Sequence, residues 1–213
     1  MKKILVVSEE DLLNSKWSLN KCSFELLPEN ECPSTYLPIR PYVFFLDPSN
    51  GKFLMWRKVY PWDNSLLDPT HSLGFGSTIN NATATAENIY KVLADSVAQE
   101  LKECINYQCD EDELYDIQCS LEHDNYIIQQ TQLGIAMIFL ADPKKISALI
   151  EKDQTMDSPM WLCPKSIRSQ GLKLENWAQL ALDYFVPSSE ENIGRESLWV
   201  RDDGYVAICY PNS

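Results

Sequence analysis

The sequence predicts an α+β fold in which helices cover a mixed β-sheet. Residues 86–105 have the periodicity of an amphipathic helix, and residues 174–185 form a second segment of the same kind. Short apolar segments with the composition of strands precede both helices. The order of strands, helix, strands and helix along one chain is typical of an α+β domain.

Five segments of the first half have the composition of strands or extended chain. They are residues 4–7, 33–41, 42–46, 52–57 and 72–80. The proline-containing segment 33–41 is expected to be a connection, whereas 42–46 and 52–57 flank a turn-rich stretch and are expected to form a hairpin. The last segment contains Gly74 and Gly76, which would let a backbone approach another group closely.

The helix at residues 86–105 is the clearest predicted element. Its apolar positions recur at helical spacing, and the polar cluster 81–85 can cap its first turn. Glu87 would then lie where the helix dipole favours a negative charge. The acidic stretch 110–113 lacks the glycine and the alternate spacing of a calcium loop, so we expect a solvated turn there.

The second half contains seven further predicted elements. They are strands at residues 115–121, 133–140, 160–162, 198–201 and 205–209, and helices at residues 145–150 and 174–185. The segment 133–140 is apolar throughout, so we expect both faces of this strand to be buried. We predict one domain at residues 1–185, a linker at 186–193, and a C-terminal hairpin extension at 194–213 that packs on the domain.

The composition of the chain limits its partners and its location. Lys and Arg number 18 against 31 Asp and Glu, a formal net charge of −13 that repels the phosphate backbone of extended nucleic acid. A phosphorylated small molecule would need a cation to mediate its binding, which makes a divalent metal site worth testing. No apolar run suits a membrane span or a signal peptide, and the seven cysteines form no CxxC pair. We therefore expect a cytoplasmic protein with reduced cysteines and no membrane contact.

Two glutamates of the 86–105 helix carry the functional interpretation. On a helical wheel, Glu100 and Glu103 fall within the arc of apolar residues. A buried carboxylate needs a partner, which an arginine, a lysine or a metal ion can supply. One explanation is that one acid pairs with Arg57 or Lys58 while the other reaches water. The other explanation is that the two acids bind a metal ion. Carboxylates three residues apart on a helix project together, and hard cations take oxygen ligands.

The chain resembles the Nudix hydrolases in one loop and in the helix that follows it. The loop reads GFGSTIN at residues 74–80, and the helix contains QELKEC at residues 99–104. The likeness covers residues 1–185 and is to the bacterial Nudix subgroup described as predicted phosphoesterases. Further matches are Ile4-Leu5-Val6-Val7, Leu133-Gly134, Trp161 and Leu174-Glu175-Asn176-Trp177. The resemblance implies an α/β/α sandwich with a mixed sheet flanked by helices, and a loop-helix-loop that holds Mg²⁺ or Mn²⁺ against a diphosphate.

The resemblance also assigns roles to single residues. Glu100 and Glu103 match the first and second glutamates of the family helix, and Gly76 matches the glycine whose carbonyl binds the metal. Four departures are Cys104 in place of the third glutamate, Gln99 in place of an arginine, Asn106 in place of a glycine, and Ser77-Thr78 in place of a glycine-histidine pair. Because a neutral thiol is a poor ligand for Mg²⁺, the metal affinity should be lower than with the complete set.

Residues outside the helix could complete the site. Another acid could come from Glu122, Asp124 or Asp157, whereas His123 is expected to be a surface loop residue. The aromatic pair Trp56 and Trp62, near Arg57, could stack a base and hold a phosphate, or could serve only in packing.

The resemblance implies a Nudix-type metal-dependent hydrolase of a nucleoside-diphosphate-linked or related phosphoanhydride. Glu100 and Glu103 are its expected catalytic residues, and together with Gly76 they are the expected ligands of Mg²⁺ or Mn²⁺. Gly74, Gly76 and Arg57 are expected to bind the substrate, a nucleotide-derived phosphorylated small molecule. The alternative is a catalytically inactive Nudix-fold module that binds a nucleotide or a protein, including a second copy of itself.

Overall fold

The computed structural model of the chain describes residues 2–16, 18–58, 70–80, 84–121, 126–129, 132–151, 156–185, 197–200 and 206–209. The chain forms two compact units. The first contains Met1–Val43 and Phe75–Met137, and the second contains Phe44–Gly74 and Ile138–Ser213.

Strands and helices alternate irregularly along the chain, as in an α+β protein. The strands are β1 (Lys3–Ser8), β2 (Phe24–Pro28), β3 (Tyr36–Asp47), β4 (Lys52–Lys58), β5 (His71–Ser72), β6 (Gly74–Gly76), β7 (Tyr126–Gln129), β8 (Gln132–Leu140), β9 (Met156–Leu162), β10 (Ser197–Val200) and β11 (Val206–Cys209). The helices are α1 (Glu9–Asn14), α2 (Ile89–Ile105), α3 (Glu111–Leu121), α4 (Pro143–Ile150), α5 (Pro164–Ser169) and α6 (Asn176–Phe185). The predicted α+β class is confirmed.

The first unit begins with antiparallel strands. β1 pairs with β2 and with the start of β3, where Val6 lies opposite Pro38. Residues 4–7 are buried, as predicted for the first strand. The prediction of a connection at 33–41 is wrong, because β3 begins within this segment. The fixed φ of proline is compatible with an extended chain, so prolines at its start do not prevent a strand.

Helix α2 supplies the main helical packing of the first unit, and one side of it is buried. The helix begins three residues after the predicted position, because Asn88 bonds back to Thr85 and closes a turn before the helix. Glu87 therefore lies outside the first helical turn. At the other end Asn106 has a left-handed backbone, with φ of 55°, and its N–H bonds to helix carbonyls. Asparagine tolerates this conformation, so Asn106 ends the helix as a glycine would.

Helix α3, which packs on α2, corrects two predictions. The acidic stretch 110–113 is its N-terminus and not a solvated turn, and residues 115–121 are helical and not a strand. Asp110 Oδ1 accepts a hydrogen bond from the Glu113 N–H at 2.9 Å, and Glu113 Oε2 accepts one from the Asp110 N–H at 3.0 Å. This reciprocal pair is a capping box, and the acids of the first turn suit the helix dipole.

The second unit is built on β4, which pairs antiparallel with the end of β3, with β5 and with β9. The predicted hairpin of residues 42–46 and 52–57 is thus confirmed, and Gly51 in its turn has φ of 67°. The segment predicted as one strand at 72–80 contains the short strands β5 and β6, followed by non-strand residues.

The helices of the second unit follow the predictions at 145–150 and 174–185, while α5 was not predicted. Leu140, at the end of β8, is 56% exposed, so the expected burial of both faces fails there. β10 and β11 pair antiparallel, as predicted for the C-terminal hairpin. The predicted linker at 186–193 lies outside the described residues, and the proposed division at 1–185, 186–193 and 194–213 stays a prediction.

Within the described part of the chain, no helix is both long enough and apolar enough to cross a membrane.

Candidate functional site

A cleft of about 540 Å³ lies in the first unit, lined by α2 and by the segment that follows β6. Its lining residues are Lys2, Gly76, Ser77, Thr78, Ile79, Asn80, Val92, Asp95, Ser96, Gln99, Glu100 and Glu103. The cleft therefore brings together three predicted metal ligands, Gly76, Glu100 and Glu103. Two other predicted site residues, Gly74 and Arg57, are not among its lining residues.

Gly76 occupies a position where a side chain does not fit. A Cβ atom there would lie 2.8 Å from Cδ2 of the buried Tyr42 ring, which is closer than van der Waals contact allows. The next residue, Ser77, donates its backbone N–H to Pro41 O at 3.0 Å. The Gly76 backbone is therefore held against β3 at the cleft.

A pair of serine hydroxyls links the loop of the cleft to its helix. Ser77 Oγ and Ser96 Oγ lie 2.7 Å apart, and Ser77 is buried. Ser96 precedes Glu100 by four residues and Glu103 by seven, so the three side chains share one face of α2. This contact sets the separation of the loop from the two carboxylates. Sequence reasoning missed it, because nothing in the sequence pairs two serines that are far apart along the chain.

Glu100 is half-buried at the edge of the buried face of α2. Its Oε1 accepts a hydrogen bond from the Cys104 thiol, with Sγ and Oε1 3.0 Å apart. Burial raises the pKa of the Glu100 carboxyl above its usual value, the thiol hydrogen bond lowers it in part, and the charge of Glu103 raises it again. Glu100 thus carries a negative charge that burial and a like charge both disfavour.

Glu103 is exposed, which corrects the prediction that both acids lie within the apolar arc. Its Oε1 accepts a hydrogen bond from the Gln99 side-chain amide at 2.7 Å. The buried face of α2 is centred on residues such as Leu93, Val97 and Leu101, and Glu103 lies beyond its edge, where the cleft opens.

The donor atoms of this cleft are of the type that hard divalent cations take. Gly76 offers a backbone carbonyl, and Glu100 and Glu103 offer carboxylates. Among the residues that the structure describes, no group of three or more His, Cys, Asp or Glu side chains could hold a metal ion. Mg²⁺ rarely needs such a cage, since it keeps several waters and binds through one or two carboxylates plus substrate phosphates. The donor set fits Mg²⁺ in that mode, and not as a closed structural metal site.

Arg57 and the candidate acid Asp157 belong to the second unit. Arg57 donates a hydrogen bond to Asp157 across β4 and β9, and this contact lowers the pKa of the Asp157 carboxyl. Asp157 is therefore the partner of the arginine within the second unit. Gly74, whose carbonyl accepts a hydrogen bond from Ser72 at 2.9 Å, is also in the second unit. The candidates Glu122, His123 and Asp124, and also Trp62, lie outside the described residues.

The chain resembles a known protein in its fold. No protein-family model matches the chain, and no curated protein matches its sequence significantly. The crystal structure of Tm1382, a putative Nudix hydrolase, superposes with a TM-score of 0.52 at 15% identity, over 85% of this chain and 96% of that one. The solution structure of the E. coli ORF135 protein matches 72% of this chain and 96% of its own, at 10% identity and a TM-score of 0.36, too low to indicate a shared fold. The chain therefore has a Nudix-like fold.

Proposed function

We propose that the protein is a Nudix-type hydrolase that uses Mg²⁺ or Mn²⁺ to cleave a phosphoanhydride, such as a nucleoside diphosphate linked to another group. The observation that carries the proposal is that Gly76, Glu100 and Glu103 line one cleft in a Nudix-like fold. These are the residues that match the metal ligands of the Nudix signature.

The residues of the cleft suit hydrolysis by water. The Gly76 carbonyl and the carboxylates of Glu100 and Glu103 would hold the cation, which when bound would neutralise phosphate oxygens and acidify water. Glu103 has one oxygen bonded to Gln99. Its second oxygen can accept the proton of the attacking water while the water oxygen bonds to phosphorus. The bond from phosphorus to the bridging oxygen breaks, and the bridging oxygen leaves with the electron pair and the negative charge.

The size and charge of the cleft agree with a phosphorylated small molecule. A volume of about 540 Å³ lies within the usual range of roughly 300–1,000 Å³ for small-molecule sites. With a formal net charge of −13, the chain would repel a diphosphate at long range, so a bound cation would strengthen the binding of the substrate.

A second candidate function is favoured by one contact. Cys104 stands where the Nudix helix has its third glutamate, and its thiol donates a hydrogen bond to Oε1 of Glu100. Because a neutral thiol adds no negative charge for Mg²⁺, the cleft would bind a nucleotide without hydrolysing it, or would serve a protein partner.

A phosphate-release screen tests the proposal. Wild-type protein is assayed with Mg²⁺ or Mn²⁺ on nucleoside diphosphate sugars, dinucleoside polyphosphates and oxidised nucleotides, beside Glu103→Gln. Because cleavage yields phosphomonoesters or pyrophosphate, phosphate is released from the products of the first two classes by added alkaline phosphatase, and from those of the oxidised nucleotides by inorganic pyrophosphatase. Glu111→Gln is the matched control, since it makes the same chemical change in the exposed first turn of α3. We expect release with at least one substrate, lost in Glu103→Gln and kept in the control. If wild type releases no phosphate, or if Glu103→Gln releases as much as wild type, the proposed hydrolase activity is contradicted. Nucleotide binding without release favours the second candidate.

A further inference from the structure

The lining of the cleft has two parts of different charge. Asp95, Glu100 and Glu103 come from α2 and are acidic, and Asp95 is paired with Lys91 outside the lining, 2.7 Å from Oδ2 to Nζ. The other part carries hydrogen-bond donors, among them the ammonium group of Lys2 and the hydroxyl of Thr78. An anionic ligand would be repelled by the first part unless a cation is present, but the second part can contact it directly.

Thr78 is oriented by an arginine behind it. Arg40 Nη1 donates to Thr78 Oγ1, with the two atoms 2.6 Å apart. A guanidinium group can only donate, so the Thr78 oxygen is the acceptor in this bond. The hydroxyl proton of Thr78 must point elsewhere, and the residue lines the cleft. The Thr78 hydroxyl, polarised by the positive charge of Arg40, can therefore donate to a ligand in the cleft.

Lys2 and Arg40 share one carboxylate. Lys2 Nζ lies 3.4 Å from Glu29 Oε2, and Arg40 Nη2 lies 3.6 Å from Glu29 Oε1. Two positive charges and one negative charge leave this group with a net charge of +1. The buried Nε of Arg40 has no hydrogen-bond partner among the described residues. Long, partly exposed ion pairs of this kind contribute little, so a phosphate in the cleft can replace Glu29 as the partner of Lys2 at low cost.

The backbone that carries these donors is fixed on both sides. Ser77 N donates to Pro41 O at 3.0 Å, and Leu5 N donates to Ile79 O at 2.9 Å. Thr78 is therefore held between a bond to β3 and a bond to β1. A ligand that meets Thr78 need not order the loop first, which favours binding.

From these contacts we propose that Lys2 and Thr78 form a phosphate subsite that binds a phosphoryl group directly, without a metal ion, and that Arg40 acts through Thr78 as a positioning residue. This inference rests on the proposed function only in placing a cation-bound phosphoryl group at Glu100 and Glu103 in the same cleft.

Titration calorimetry with inorganic pyrophosphate in EDTA, at low ionic strength, tests the subsite without metal or catalysis. We expect wild type to bind, and Arg40→Gln and Thr78→Val to bind roughly tenfold more weakly or worse, as for loss of a hydrogen bond to a charged group. Thr78→Ser restores the hydroxyl and should bind within about twofold of wild type. Lys21→Met, which removes an exposed charge in the same unit but outside the cleft lining, is the control for net charge.

The outcomes separate the subsite from the hydrolase. Absence of binding by wild type, equal binding by Arg40→Gln and Thr78→Val, or an equal loss in Lys21→Met overturns the subsite. Pyrophosphate binding that depends on Arg40 and Thr78, in a protein without hydrolytic activity, supports the subsite and contradicts only the proposed function. A change in the Mn²⁺ affinity of Thr78→Val, measured without phosphate, would also overturn the phosphate subsite, because that result would place Thr78 at the cation.

Discussion

Helices α2 and α3 are both rich in acids, but they use them differently. In α3 the acids lie at the N-terminus, where Asp110 and Glu113 cap the helix through two reciprocal hydrogen bonds. In α2 the first turn has no acid, and Glu100 and Glu103 lie in the last two turns. A carboxylate near a helix C-terminus is opposed by the helix dipole, whereas one near the N-terminus is favoured.

The difference separates structural acids from candidate functional ones. The acids of α3 stabilise the helix that carries them, so the fold alone explains them. Those of α2 face a cleft, lie in an unfavourable part of their helix, and include the half-buried Glu100. A protein tolerates such a placement where a ligand compensates for it. We therefore expect opposite responses when the acids of the two helices are replaced.

The largest expected effect is on catalysis. Glu100→Gln should lower kcat by about 100-fold or more, as for loss of one electrostatic stabiliser of a transition state, because the amide cannot neutralise the cation. Steady-state hydrolysis of the best substrate from the screen measures this. Glu111→Gln in α3 should leave kcat unchanged, and a similar loss in both variants would contradict the distinction between the helices.

Restoring the third carboxylate should have the next largest effect. Cys104→Glu adds a negative charge one helical turn after Glu100 and should raise Mn²⁺ affinity by about tenfold, because the charge of the ligands sets the affinity of such sites. Calorimetric titration with Mn²⁺ measures it. Cys104→Ser removes the thiol without adding charge and should give no gain. An unchanged affinity in Cys104→Glu would mean that the helix has been aligned wrongly with the Nudix signature.

Stability should change in opposite directions in the two helices. Asp110→Ala removes a cap of α3 and should lower the free energy of unfolding by about 1 kcal/mol. Glu100→Gln should raise it by about 0.5 kcal/mol in metal-free protein, because it removes a charge that the helix dipole and Glu103 oppose. Urea unfolding in EDTA measures both, and destabilisation by Glu100→Gln would show that the carboxylate is part of the structure.

The last expected effect concerns Tyr107, between the helices. Its hydroxyl donates to Glu113. Burial, followed by this hydrogen bond, raises the pKa of Tyr107 above its usual value. The protonated Tyr107 hydroxyl therefore contributes fully to the free energy of unfolding below the pKa of an unfolded tyrosine, about 10. This contribution is lost as the pH rises toward the raised pKa of the folded protein. Tyr107→Phe should cost about 1 kcal/mol at pH 7, and the difference from wild type should shrink above about pH 10. A difference that stays constant in urea unfolding up to pH 11 would contradict this.

Much of the fold was predictable from local patterns. The helical period of residues 89–105 identified α2. The strand-turn-strand pattern of residues 42–57 identified the β3–β4 hairpin. α1 was missed because it is short and has few apolar positions, and α3 because residues 115–121 alternate apolar and polar residues as a strand does. Ser8 and the Asp110 to Glu113 spacing are nevertheless capping signals. These two helices are specified by their caps, which a search for apolar periodicity does not detect.

The candidate site was predictable only in part. The helical wheel and the Nudix-like loop selected Gly76, Glu100 and Glu103, which the structure brings to one cleft. The Ser77 and Ser96 contact and the Arg40 and Thr78 contact join residues that are distant in sequence, so no local pattern could reveal them. Arg57 was selected for its neighbouring aromatics, and it pairs with Asp157, a contact between two distant strands.

The most direct test of the central claim is a Mn²⁺ titration followed by electron paramagnetic resonance, without pyrophosphate. It compares wild type, the double variant Glu100→Gln and Glu103→Gln, and a control with Asp110→Asn and Glu111→Gln in α3. The claim that the α2 carboxylates hold the cation predicts that the double variant loses Mn²⁺ binding while the α3 control binds as wild type does. Equal binding by all three proteins, or an equal loss in the α3 control, would contradict it.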